Sequence, residues 1–322
     1  MNTETAVTTS PILALLAFVA VILILLFLIA KWRWHVFLAL LVPLVLFGII
    51  PGIEQNNFIH AFETGFGSTL GSIGVVIVLG SIIAEALQHT GAIQTITSTM
   101  VEVFGRNRIP LALTLTGFIL GIAIFSDVAF VILNPLVHSA AKAMGVSISV
   151  VSIGLVGSLQ LTHAIVPPTP GPLAAAALVG ADVGKTIIFG GIACLIGSLA
   201  GWIWGQFIAG PRIKTLPEDE FAGEPFLDGD RKGLPGAFAS YAPIVIPILL
   251  ISGQSISRLF LAEDHFIRAG LVYIGWPVAA LSIGVWLAYR NIRTEEHKKA
   301  SKNTWIEEAL KVSAMILVVT GL

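Results

Sequence analysis

The chain has 322 residues, 18 Lys and Arg against 19 Asp and Glu, and a net charge of −1. Hydrophobic residues make up 56% and charged residues 11%, with a mean hydropathy of +0.91, whereas about 25% of a soluble domain is charged. This composition excludes an ordinary soluble domain, gives no sign of a nucleic-acid partner, and with a single cysteine rules out an intrachain disulfide. Cys194 lies in an apolar run and reads as a small packing residue. The 32 glycines suit the close packing of membrane helices.

Taken in order, the chain starts with a polar tail containing Glu4 and no Lys or Arg. An uncharged run, Pro11–Ala30, follows and has about the 20 residues that span a bilayer. The tail has no basic residue and no cleavage site precedes Lys31, so the run reads as a span rather than a signal peptide. Lys31-Trp-Arg-Trp-His35 is a basic, aromatic interface anchor of the cytoplasmic kind. A second span is expected from Val36 to about Ile50, with a kink at Pro43. The loop Pro51–Glu63 has acids but no Lys or Arg, as an outer loop would. A third span covers about Leu70–Leu87, and the amphipathic stretch Ala92–Phe104 leads to the basic Gly105-Arg-Asn-Arg108.

From Ile109 to Ala141 the only Asp, Glu, Lys or Arg is Asp127. The run is long for one span and short for two, so a re-entrant hairpin is expected over about 109–141, its arms meeting near Phe125-Ser126-Asp127. Next comes Leu161-Thr-His-Ala-Ile-Val-Pro-Pro-Thr-Pro-Gly-Pro-Leu173. It is uncharged and apolar on both sides, yet four prolines forbid a continuous helix. A helix from Ser147 should stop near His163 and another begin at Pro172, giving a broken helix over about 147–179. Irregular backbone at membrane depth is tolerated only where it is buried in protein or lines a wet cavity, and secondary transporters bind substrate at such breaks. The new helix would offer free N–H groups and a positive dipole end to a carboxylate. Asp182 and Lys185 fall in a short outer loop, and Ile187–Ile208 closes the first half.

Residues 211–235 form a hydrophilic linker. Beyond it, spans are expected at Tyr241–Ile256 and Ala269–Tyr289, then a basic loop, Arg290–Lys302, and an apolar run from about Trp305. With the basic loops inside, the N-terminus is outside and the two halves start on opposite sides of the membrane. That is the pattern of inverted repeats: 1–210 is the first and 236–322 the start of a second. By this count the second repeat lacks its own hairpin and broken helix, so the expectation is a C-terminal truncation and no transport by the 322-residue form alone.

Several residues carry two readings. Asp127 is either a structural acid held by hairpin amides or, since an ionisable group in an apolar segment is costly and usually functional, a proton carrier. His163 either bonds freed carbonyls or meets substrate or proton. Ser126 and Thr169 either cap local backbone or touch substrate. Pro168 and Gly171 clear backbone for a ligand. Gly117-x-x-x-Gly121 and Gly197-x-x-x-Gly201-x-x-x-Gly205 read as packing faces, and Glu85 with His89 as an interfacial polar pair. Gly180-Ala-Asp-Val-Gly-Lys-Thr186 is one residue short of a phosphate-binding loop and joins two membrane helices, and Gly65-x-Gly67-x-x-x-Gly71 misses the dinucleotide spacing. No hydrolase or metalloprotease signature is present, and no residue pattern calls for a cofactor or metal.

The runs Gly65-Phe-Gly-Ser-Thr-Leu-Gly-Ser-Ile-Gly74, Ala123-Ile-Phe-Ser-Asp127, Leu133-Asn-Pro-Leu136, Thr162-His-Ala-Ile-Val-Pro-Pro-Thr-Pro-Gly-Pro172 and Ala181-Asp-Val-Gly-Lys-Thr186 resemble the gluconate permease family. The resemblance extends over essentially the whole chain. It implies an all-α polytopic transmembrane transporter of the inner membrane with inverted repeats, not an enzyme, importing a sugar acid by proton symport. Members commonly carry Glu at the position of Asp127, an aromatic at Ser126 and His at Thr169. On this reading the substrate site comprises Ser126, Asp127, His163, Pro168, Thr169 and Gly171, with Asp127 and His163 coupling to protons. The partners are a small organic anion, protons and the lipid bilayer. Another organic anion or an amino acid as substrate, Na+ coupling, and a homo-oligomer stay open. A channel or scaffold would need a continuous polar pore or a large soluble domain, and neither is visible.

Overall fold

The computed structural model describes residues 11–48, 55–213, 233–293, 299–301 and 303–321. The linker expected over 211–235 therefore lies mostly outside the described residues, as do parts of the loops at 51–63 and 290–302. The described residues contain thirteen α-helices and no strand. The first nine are α1 (Pro11–Ala30), α2 (Val36–Gly48), α3 (Gln55–His89), α4 (Ala92–Phe104), α5 (Ile109–Leu120), α6 (Ser126–Met144), α7 (Ile148–Ile165), α8 (Pro170–Leu178) and α9 (Val183–Trp204). Then come α10 (Ala237–Phe260), α11 (Phe266–Ile274), α12 (Pro277–Tyr289) and α13 (Thr304–Gly321). Four stretches are long and apolar enough to cross a membrane: α3, α7 with α8, α9 with its extension to Arg212, and α10; the bent pair α11–α12 makes a fifth if it is one span.

The chain divides into two compact units, Met1–Gly74 with Ala314–Leu322, and Val75–Ser313. In the first, α1 packs on α2 around Leu28 and Ala39, while Leu15, Leu16, Phe18 and Leu23 are exposed. Uncharged and apolar on its open side, α1 has the surface of a helix that faces lipid. Trp32 stacks loosely between Phe27 and Trp34, with ring centroids 5.4 and 5.8 Å away.

α3 is longer than the span expected at 70–87, beginning at Gln55. Within it the hydroxyls of the small polar residues bond back along the same helix: Ser68 Oγ and Thr69 Oγ1 donate to Gly65 O (3.0 and 2.8 Å), and Ser72 Oγ to Thr69 O (3.1 Å).

The second unit is built around α7, which packs against α5, α6 and α9, while α10 joins α9, α12 and α4. The α5–α7 contact depends on glycine. A Cβ on Gly117 would lie 2.8 Å from Leu155 O, and one on Gly121 would lie 2.9 Å from Leu159 O, so the two backbones meet without side chains between them. The second glycine ridge is only partly such a face: Gly197 and Gly205 meet Leu161 and Ile153 of α7, but a Cβ on Gly201 would touch nothing.

α10 carries Pro243 and Pro247 inside the helix. Each lacks the N–H that would bond the carbonyl four residues back, freeing Ala239 O and Pro243 O. Asn291 Nδ2 donates to Ala239 O at 2.8 Å. Gly284 of α12 lies against the other, where even a Cβ would come within 3.0 Å of Pro243 O.

The span expected as one helix over Ala269–Tyr289 is instead the pair α11 and α12, bent by 66°. Proline disfavours helical backbone in the residue before it. Trp276, before Pro277, accordingly has ψ 128°. Gly275 fits at the corner because α10 passes so close that a Cβ there would sit 2.5 Å from Leu250 O.

Asp182, outside the spans, caps α9: its Oδ1 accepts from the Lys185 N–H at 2.9 Å and from Ser255 Oγ of α10 at 2.5 Å. Partial burial pushes this carboxyl up, but the bonds from Ser255 and Lys185 and the charges of Arg258 and Lys185 outweigh it and hold it below the ordinary carboxylate value.

Two outcomes are expected. Asn291 is 6% exposed, so Asn291→Leu leaves the Ala239 carbonyl without its donor and lowers unfolding stability by about 1–3 kcal/mol, measurable by thermal unfolding in detergent. Asp182→Ala costs about 1 kcal/mol through the lost cap. Because the folded carboxyl is held low, its charge-dependent stabilisation is complete above the unfolded value near pH ~4 and fades as pH falls through the folded value. The gap in midpoint temperature between the native chain and Asp182→Asn should therefore close on acidification.

Candidate functional site

The site is built where the α7–α8 break meets the turn between α5 and α6. α7 continues to Ile165, two residues past the stop expected near His163, and α8 begins at Pro170 rather than Pro172. In an uninterrupted helix, Pro167, Pro168, Pro170 and Pro172 would have bonded the carbonyls of His163, Ala164, Val166 and Pro168. Thr169, 5% exposed, supplies a substitute donor: its Oγ1 lies 2.8 Å from His163 O and 2.7 Å from Val166 O, two of those orphans. The first three positions of α8 are Pro170, Gly171 and Pro172, so Gly171 carries the only N–H among them. The Leu173 N–H is already committed to Thr169 O at 3.1 Å. The group of free amides expected at this helix start is therefore a single one.

Facing the break is the turn 121–125. It lies against α7 because Gly121 permits contact with Leu159 and Thr162. Phe125 presents its ring edge-on to His163, centroids 5.4 Å apart and planes at 63°. At the start of α6, Ser126 Oγ donates a short hydrogen bond to Gln160 Oε1 of α7. The turn between α5 and α6 thus lies just before Ser126, fastened to α7.

Between these segments lies a small cavity of about 30 Å³ that opens toward solvent. Its wall is mostly apolar, from Ile122 and Ile124 of the turn, Ile77 and Ile83 of α3, and Pro243, Pro247 and Ile251 of α10. The polar groups along it are few: Ser81, His163 and Thr169. A largely apolar wall with a few convergent polar groups is the usual form of a small-molecule site. Two polar atoms beside it, His163 Nδ1 and Thr162 Oγ1, are buried and have no hydrogen-bond partner.

Of the residues singled out from the sequence, His163, Pro168 and Thr169 line this cavity, while Ser126, Asp127 and Gly171 do not. Asp127 was expected to be buried where the hairpin arms meet, and it is exposed instead. It sits in the first turn of α6, where the helix N-terminus favours a carboxylate without burial, and it remains close enough to act electrostatically on His163. Gly171 is also exposed, with open space where a Cβ would be. Residues missed in the sequence are Ser81, whose Oγ lies 3.0 Å from Ser313 Oγ, Phe125 and Gln160. A lone serine in an apolar helix gives no signal. Gln160 had one, three residues before His163 on the same helix.

The model of the GntP family of permeases matches residues 13–322. The chain belongs to the GntP permease family. It is 35% identical over 273 residues to a gluconate permease of Zymomonas mobilis, covering 84% of this chain and 60% of that protein. It is 30% identical over 302 residues to a gluconate permease of Pseudomonas aeruginosa, covering 91% and 66%. A D-serine transporter of Escherichia coli is 32% identical over 295 residues, covering 91% and 66%. The chain thus spans roughly two thirds of the length of these relatives. No solved structure matches it. With the family and the membrane-length helices together, this is an all-α, multi-pass membrane protein whose relatives are permeases rather than enzymes.

The capping role of Thr169 is testable. Thr169→Val should lower stability by about 1–3 kcal/mol by stranding buried carbonyls, and Thr169→Ser should restore most of it. Equal midpoint temperatures for the two variants would show that the hydroxyl does not hold the break.

Proposed function

We propose that the protein acts in secondary transport of a small hydroxy-carboxylate of the gluconate type, in symport with protons, and that the cavity between the 121–125 turn and the 166–169 break is its substrate site. The observation that carries the reading is the break itself: a membrane-length apolar segment interrupted beside a cavity, with an imidazole nitrogen buried and unbonded at its edge. A ligand with several hydroxyls supplies donors for the carbonyls that the prolines free. Its carboxylate is matched by protonated His163, which lines the cavity. Names of relatives favour sugar acids; the D-serine transporter among them makes a hydroxylated amino acid the second reading.

In this reading Asp127 and His163 couple transport to protons: an unperturbed imidazole titrates near neutral pH, and the Asp127 carboxylate lies close enough to His163 to interact with it. Pro168 lines the site, and Ser126 fastens the start of α6 to α7 beside it. Residues 1–210 form one inverted repeat and those from 236 belong to the next, with 211–235 as a cytoplasmic linker. The protein resides in the inner membrane with its N-terminus outside, coupling is to H+ rather than Na+, and the transporter is competent to form homo-oligomers.

The test is uptake by cells expressing the protein from its native gene, with gluconate and D-serine as competing solutes under imposed H+ or Na+ gradients. Saturable gluconate accumulation, abolished by a protonophore and indifferent to Na+, is expected. His163→Gln should lose accumulation, and Asp127→Asn should lose it while still exchanging substrate. Accumulation that follows Na+ and ignores pH would overturn the coupling. Saturable uptake of D-serine unaffected by gluconate would shift the substrate to the second reading.

A further inference from the structure

A separate cluster lies at the far end of α3. Glu85 and His89 are one helical turn apart and so share a face, and Glu308 arrives from the first turns of α13. His89 Nε2 is 3.4 Å from Glu85 Oε2 and 3.6 Å from Glu308 Oε2. One ligand atom from each of the three lies within 4.8 Å of the others. Zinc-type ions bind imidazole nitrogen and carboxylate oxygen at about 2.0–2.2 Å in a tetrahedron. Neighbouring donors in such a tetrahedron are roughly 3.3–3.6 Å apart, the spacing of the two measured pairs.

Two further features suit an ion. The His89 ring is stacked flat on Trp305, centroids 4.9 Å apart and planes within 7°. Trp305 is itself held in a buried cluster with Ala86 and Ala288, so the imidazole plane is set before any ligand arrives. The electrostatic partners of Glu85 among the described residues are Glu308 and His89, with no Lys or Arg. Two carboxylates thus converge on one imidazole, and among the described residues no Lys or Arg acts on Glu85. The side chains of His89 and Glu308 are 35% and 44% exposed, which leaves a path to solvent.

We propose that Glu85, His89 and Glu308 form a binding site for a divalent transition-metal ion of the zinc type, with water as the fourth ligand. The ion neutralises the carboxylate pair and fastens the start of α13 to the end of α3. It needs neutral imidazole and ionised carboxylates, so binding weakens on acidification.

The experiment titrates Zn2+ alone into the purified, chelator-stripped protein by calorimetry and follows its thermal unfolding. One ion per chain is expected, with a rise in midpoint temperature. Glu308→Gln, which keeps the side-chain shape, should weaken binding about tenfold or more and remove that rise, and His89→Gln should do the same. Far-ultraviolet circular dichroism confirms that the variants keep their helices. If either variant unfolds, Glu85→Gln replaces it. Zn2+ affinity unchanged by these substitutions would mean that the ion sits elsewhere. No uptake at about 1 mM Zn2+ would also overturn the site, since that limit corresponds to under ~4 kcal/mol of binding.

Discussion

The hydroxyl of Thr169 is the interaction on which the middle of this protein depends. Four prolines within six residues remove the amides that would have continued α7 into α8, and a span cannot leave the freed carbonyls bare in hydrocarbon. One side chain placed three residues beyond Val166 and six beyond His163 reaches two of those carbonyls at once. The break can then be both irregular and buried. The turn of the hairpin settles against it, and the cavity forms between the two.

The same rule recurs in α10. Pro243 and Pro247 each free a carbonyl: the side-chain amide of Asn291 donates to one, and Gly284 of α12 packs closely against the other. Both prolines also stand in the cavity wall. Helix irregularity and ligand space share a cause, since a helix that bends away from its neighbours leaves room between them.

The sequence was most legible where backbone chemistry dictates the outcome. Proline and glycine positions located the break and the hairpin turn to within a few residues, because missing amides and missing Cβ atoms act locally. It was less legible where packing decides. The helical first part of α3, from Gln55, is polar enough that composition alone reads it as loop. The bend at Gly275-Trp276 had its local sign in Pro277, masked by the apolar run around it. Asp127 was misjudged on burial because its depth was read from neighbours in sequence, whereas its place at the start of α6 turns it outward. Ser81 and Phe125 enter the cavity wall only through tertiary contacts.

The proline-rich break also has a sign. Removing amides while keeping carbonyls strips a stretch of backbone of its positive ends and leaves its negative ones. From Val166 to Pro172 the chain offers seven carbonyl oxygens but only three N–H groups, those of Val166, Thr169 and Gly171. The Val166 amide is spent on Thr162 O. The Val166 and Thr169 carbonyls are taken by Thr169 Oγ1 and the Leu173 N–H, so the acceptors left between the two helices are those of Pro167 and Pro168, and a molecule lying against them meets them with hydrogen-bond donors. A molecule with a charged end and a hydroxylated end would thus be oriented by the backbone before any side chain touched it.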